Sequence, residues 1–172
     1  MKNTIKFLAI LLISFTFNSC DEVEKLADVK FSTSITEKIP VHIGQNQEYM
    51  SEMVTLNLDN SDTHDYLNEL KNVSIKKVQY KFIDFTGNED CYINVEIASD
   101  GVVLETKEFY VQQAYSNETV YEITDIDKVN AMATALKNNK QIEFKMEGEV
   151  FGGISDFKIE VTLELEIIAN PL

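Results

Sequence analysis

Residues 157–167 read Phe-Lys-Ile-Glu-Val-Thr-Leu-Glu-Leu-Glu-Ile, apolar at every odd position and polar at every even one. On an α-helix Phe157, Ile159, Val161, Leu163, Leu165 and Ile167 would be scattered around the whole circumference. On a strand, where successive side chains point to opposite faces, they make one apolar face and one charged face. Such an element belongs to an antiparallel sheet with one side in water. The stretch before it reads the same way: Ile142, Phe144, Met146, Gly148 and Val150 alternate with Glu143, Lys145, Glu147 and Glu149. Gly152-Gly153 separates the two, so residues 140–151 and 155–168 are expected to form one long hairpin, the backbone of the fold.

Working back along the chain, Ser99-Asp100-Gly101 signals a second hairpin, because Gly after Asp suits the positive φ angles of a tight turn. The incoming strand buries Ile93, Val95 and Ile97. The outgoing strand changes phase, with Val102 and Leu104 on one parity and Phe109 and Val111 on the other. One extra residue near positions 106–108 restores a common face, which predicts a β-bulge. A similar slip between Ile75 and Val78 predicts another at Lys76-Lys77, within a strand over 73–85. Further strands are expected at 28–36, 39–44 and 52–58, with Pro40 marking an edge or a break, and a short one at 119–124.

Two segments depart from period two. Ile126, Val129, Met132, Ala133 and Leu136 follow helical spacing over about 125–138, with Thr124-x-x-Asp127 as a capping box and Asn138-Asn139 as the stop. A shorter helix is expected over about 62–70, with Tyr66, Leu67 and Leu70 inward. Together these elements predict an all-β, mainly antiparallel β-sandwich, immunoglobulin-like in the broad architectural sense, with two short helices. The Trp and paired-Cys landmarks of true immunoglobulin domains are missing, since the chain has no Trp.

Charge narrows the partners. The 172 residues carry 15 lysines, no arginine and 29 acids, a formal net charge of −14. Nucleic-acid binding needs Lys and Arg to neutralise phosphates, and bidentate clamps on phosphate or carboxylate need Arg. Both partner classes are disfavoured.

The N-terminus follows a different pattern. Lys2 and Lys6 precede an uncharged apolar run at 7–17, the length of a signal-peptide core. It is shorter than the roughly 20 residues a spanning helix needs. The run ends in Phe17-Asn18-Ser19-Cys20, which resembles the lipobox of bacterial lipoproteins, in the relaxed form found in Bacteroidota. The resemblance covers about twenty residues and implies a signal peptide at 1–19, lipidation of Cys20 and a membrane partner held through N-terminal acyl chains. Two or three acyl chains anchor stably where one does not. The acidic Asp21-Glu22-Val23-Glu24 after the cysteine partly matches a surface-export signal, so an outer-membrane location is expected, with the facing leaflet open. Residues 20–27 then form an acidic tether and 28–172 a single domain. Loss of residues 1–19 removes two lysines and no acids, moving the charge from −14 to −16. With Cys20 lipidated, Cys91 has no intramolecular partner and is read as a small buried hydrophobe.

Catalytic signals are scarce. His42 and His64 are the only histidines, each isolated, and no nucleophile elbow, P-loop, dinucleotide fingerprint or zinc spacing occurs. Asp59, Asp62 and Asp65, with Asn60, Ser61, Thr63 and His64 among them, gather oxygen ligands of the kind calcium prefers. The stretch lacks the glycine and terminal glutamate of an EF-hand, and a solvated turn with Asp62 or Ser61 capping the next helix is the preferred reading. Asp84, Glu89 and Asp90 have ordinary turn composition. The remaining candidates are aromatic. With the bulge in place, Tyr92 and Tyr110 lie opposite each other on a solvent face beside Asn94, Glu96, Glu108 and Gln112. Such a pair is read first as a cross-strand pair stabilising the sheet, with stacking on a glycan or an envelope protein as the alternative. The expected function is a non-enzymatic, lipid-anchored binding or accessory module. The alternatives are a structural or assembly subunit of an outer-membrane complex and, further off, a carboxylate-only hydrolase.

Overall fold

The computed structural model describes residues 28–170; the signal peptide, Cys20 and the tether expected from the sequence lie outside the described residues. Eight strands follow in chain order: β1 (Val29–Ile43), β2 (Tyr49–Asn57), β3 (Leu70–Gly87), β4 (Tyr92–Ser99), β5 (Val102–Tyr110), β6 (Val120–Glu122), β7 (Gln141–Phe151) and β8 (Ser155–Ala169). Helix α1 (Val111–Ser116) lies between β5 and β6, and α2 (Ile126–Asn139) between β6 and β7. They form two antiparallel four-stranded sheets, β1-β8-β3-β6 and β2-β7-β4-β5.

The sandwich follows from the alternation. Each strand has one apolar face, and two sheets laid face to face bury both. Ile159, Val161, Leu163, Leu165 and Ile167 of β8 are all buried, as are Ile142, Phe144, Met146 and Val150 of β7. Burying one such side chain stabilises by roughly 1.5–3 kcal/mol. Aromatic rings fill one part of the core. Phe109 lies 5.0 Å from both Phe82 and Tyr121, and Phe82 lies 5.7 Å from Phe157. Tyr80, stacked on Tyr121 at 5.3 Å, donates its hydroxyl to Glu105 Oε1 at 2.5 Å. Burial and that carboxylate raise its pKa well above the ordinary value.

The strand order refines the immunoglobulin-like expectation. Only β4 and β5 are consecutive and share a sheet; every other connection crosses between sheets. This eight-strand order is that of a jelly roll. It also corrects the long hairpin expected for 140–168. β7 pairs with β2 and β4, β8 pairs with β1 and β3, and Gly152-Gly153 carries the chain from one sheet to the other. Gly152 has φ +103°, and a Cβ there would come within 2.5 Å of the Asp90 carbonyl oxygen. A strand buried on one face alternates identically whether its sequence neighbour lies beside it or across the core, so the pattern did not distinguish the two.

Local chemistry accounts for the other differences. The β3 bulge falls at Lys76 as expected, and a second lies near Asp84, whose φ is +55°. The β5 bulge is at Leu104, not at 106–108, because the two-residue turn at Asp100-Gly101, both with positive φ, sets the register from the tip. β1 runs unbroken through Pro40, tolerated because β1 is an edge strand. Residues 62–70 do not form a helix. A single 3-10 turn spans His64–Tyr66, and β3 has begun by Leu70. The buried Thr63 hydroxyl donates to the Leu58 carbonyl and accepts the Asn60 amide (3.1 Å), while Asn60 Oδ1 accepts the Asp62 amide (2.8 Å). These side-chain bonds to backbone compete successfully with a helix. In α2 the cap is Asp125, whose carboxylate accepts the amides of Asp127 and Lys128, in place of the Thr124 box. Met132, Ala133 and Leu136 are buried as expected, but Ile126 is 73% exposed.

Candidate functional site

The outer faces of the two sheets differ in how their charges are matched. On the β1-β8-β3-β6 face, Glu166 Oε atoms lie 3.0 Å from Lys30 and 3.2 Å from Lys76, and those of Glu160 lie 2.9 Å from Lys81 and 3.5 Å from Lys38. Lys77 pairs with Glu164 and Lys158 with Asp84. Acids of one strand are thus bracketed by lysines of its neighbours. The lysines hold the carboxyls of Glu160, Glu166 and Asp84 below their ordinary pKa values.

The β2-β7-β4-β5 face is not matched in this way. Its outward positions carry five carboxylates, Glu96, Glu108, Glu143, Glu147 and Glu149, against one lysine, Lys145. Lys145 is engaged by Glu147 at 2.5 Å. At one end of this face, pairing of β4 with both β5 and β7 sets Tyr110, Tyr92 and Phe151 in a row across three strands. Ring centroids are 5.1 Å apart for Tyr92–Tyr110 and 5.7 Å for Tyr92–Phe151. Tyr110 is 61% exposed and Phe151 50%. The next row is Glu108, Asn94, Glu149 and Tyr49, the last also exposed. Partial desolvation and the Glu108 carboxylate raise the Tyr92 phenol pKa above its ordinary value. Beyond Tyr110 the surface dips into a recess of about 290 Å³ whose lining includes Glu108, Tyr110, Gln113, Asn117, Thr119 and Tyr121.

Tyr92 and Tyr110 are therefore brought together as the sequence predicts, with Glu108 and Asn94 in the adjoining row. Phe151 and Tyr49 were missed. Phe151 carries a signal, being apolar on the charged parity of β7, yet its place beside Tyr92 depends on the β4–β7 pairing. Gln112, expected on this face, lies in α1 and bonds Ser116 at 3.0 Å.

The other candidates separate. Asp59 Oδ1 bonds His64 Nδ1 at 2.8 Å, which raises the His64 pKa, and Asp62 accepts the Thr33 hydroxyl at 2.8 Å. Among the described residues no three of His, Cys, Asp or Glu converge as metal ligands, so Asp59, Asp62 and Asp65 are not gathered into one site. His42 is exposed and bonded to Asp156 at 2.6 Å. Cys91 is fully buried, which raises its thiol pKa and makes it a core hydrophobe. No helix of the described residues is long and apolar enough to cross a membrane.

No family model and no curated relative matches the chain. Among solved structures it is similar to the decameric BFDV capsid protein, at 13% identity and TM-score 0.47 over 81% of this chain and 99% of that one. It is also similar to Desmodium yellow mottle tymovirus, at 8% identity and TM-score 0.44 over 86% of each chain. Turnip yellow mosaic virus follows at 9% identity and TM-score 0.40, over 84% of this chain and 96% of that one. These likenesses are distant, and the fold stands on the chain's own strand order.

Proposed function

We infer that this chain is a lipid-anchored envelope protein of the outer membrane, held by Cys20, whose jelly-roll domain acts as a non-enzymatic binding module. The observation that carries the binding role is the exposed row Tyr110–Tyr92–Phe151. A sheet needs one apolar face for its core, and β4, β5 and β7 already have one in Ile93, Phe109 and Val150. A second set of large rings on the solvent side adds exposed apolar area that folding does not require. Grouped exposed rings of this kind mark contact surfaces, whereas isolated ones do not. Aromatic side chains also contribute heavily to interface energies. Val29, where the chain enters β1, pairs with Ala169 at one end of β8, whereas Phe151 precedes Ser155 at the other, so a Cys20 anchor would hold the ring row at the end away from the membrane.

Photo-crosslinking in intact cells tests the reading. A benzophenone amino acid replacing Tyr110 is expected to give adducts with an envelope macromolecule, whereas the same group replacing Ser34 on the opposite sheet gives none. Equal labelling from both positions, or none from position 110, removes the binding role.

A further inference from the structure

Resting on that reading, we propose that the Tyr110–Tyr92–Phe151 row and the carboxylates behind it form a docking surface for a cationic polypeptide segment, one presenting Arg or Lys side chains. Charge complementarity on a defined geometry favours such a partner. Adjacent strands lie about 4.8 Å apart, so three rings in register make a platform roughly 10 Å across. The negative faces of such rings attract ammonium and, more strongly, planar guanidinium groups. About 7 Å along the strands, two residues further from the edge of the platform, Glu108 and Glu149 flank Asn94. A side chain lying on Tyr92 thus places its charged end within reach of either carboxylate, and an arginine there can stack and form paired hydrogen bonds at once.

The surface offers little competition from within the chain. Lys145, the one lysine on this face, is committed to Glu147, two rows from the rings. Lys107, nearest in sequence, points to the other side of β5, its Nζ 4.5 Å from the Tyr121 ring centroid. The opposite sheet carries as many acids, but there each of six lysines sits within 4 Å of a carboxylate. A neutral glycan would need ring faces and hydroxyl or amide partners but would gain nothing from the unmatched carboxylates. A second copy of this acidic chain would meet like charge. A cationic segment uses both features.

The full-length protein in neutral detergent is titrated with a synthetic twelve-residue peptide alternating Arg and Thr, and separately with its Glu-Thr counterpart, by calorimetry. Saturable binding is expected for the Arg peptide only. Tyr110→Ser and Phe151→Ser should each weaken it by roughly threefold or more, and Glu108→Gln with Glu149→Gln by more. Glu164→Gln on the opposite sheet should change it less than twofold. Circular dichroism melts show that each variant is folded; should one ring variant fail to fold, the other and the Gln pair carry the test. Equal weakening by Glu164→Gln and by the face variants would mean bulk attraction to an acidic protein and overturns the proposal. Full binding by the ring variants also overturns it. Binding of a neutral xylo- or chito-oligosaccharide lost in Tyr110→Ser, with no Arg-peptide binding, overturns the cationic partner while keeping the surface as a binding site. Self-association lost in the same variant assigns the surface to a second copy and overturns it likewise.

Discussion

Single residues carry much of what is specific here. Gly148 is paired with Val95, and a Cβ added to it would fall 2.1 Å from the Asn94 carbonyl oxygen and 2.8 Å from Val95 Cα. Both are backbone atoms of β4, so neither moves aside alone. Gly148→Ala is expected to destabilise the protein by about 2–3 kcal/mol, read as a lower urea midpoint at unchanged slope; a midpoint within error of wild type would show that β4 and β7 can separate locally. Cys91 is sealed in the core, so it should resist a thiol reagent in the native state and react only on unfolding. Cys20 lies outside the described residues, and its proposed lipidation has a direct test. Cys20→Ser should abolish incorporation of labelled palmitate, and incorporation equal to wild type ends the lipoprotein reading.

At the scale of elements, boundaries were decided by side-chain to backbone bonds that a period count does not register. The alternation in 73–85 and 93–111 showed that bulges were needed, and the Lys76 slip is where the parity breaks. The β5 bulge moved to Leu104 because the Asp100-Gly101 turn, not the downstream parity, sets the register. The helix at 125–138 was legible from five apolar positions, but its cap was misplaced by one residue because Thr124 and Asp125 are both good caps in sequence. Asp125 alone reaches the amides of Asp127 and Lys128. Asp125→Ala should therefore lower stability by about 1 kcal/mol, and Thr124→Ala by much less, in paired thermal melts. The turn at 58–66 shows the opposite error. Its composition suits a helix start, but Thr63 and Asn60 spend their side chains on the local backbone.

The whole molecule has one face neutralised by cross-strand ion pairs and another left acidic and aromatic. The first makes a prediction about pH. Lys81 holds Glu160, Lys30 holds Glu166 and Lys158 holds Asp84 below their ordinary values of 4.5, 4.5 and 3.8, and Lys145 does the same for Glu147. These carboxyls regain ordinary values when the chain unfolds, so the unfolded state binds more protons as the pH falls. The stability they contribute is fully present above about pH 4.5 and is lost progressively below it. A urea midpoint that falls between about pH 6 and pH 3 is expected, with a smaller fall in Glu160→Gln; a flat profile contradicts the assignment. Most of these pairs are exposed, so added salt should weaken the effect. The sequence alone determined the class of structure and one cross-strand pair: strict alternation admits only half-buried strands, and the parity of 92–110 set Tyr92 opposite Tyr110. Tertiary structure decided which sheet each strand joined, and with it the site. Burying one face is a local requirement that any packed partner satisfies, whereas choosing β4 over β8 as the neighbour of β7 depends on contacts between residues far apart in the chain. That choice placed Phe151 beside Tyr92, turning a cross-strand pair into a three-ring surface, and it left the acids of that face with a single lysine, Lys145, among them.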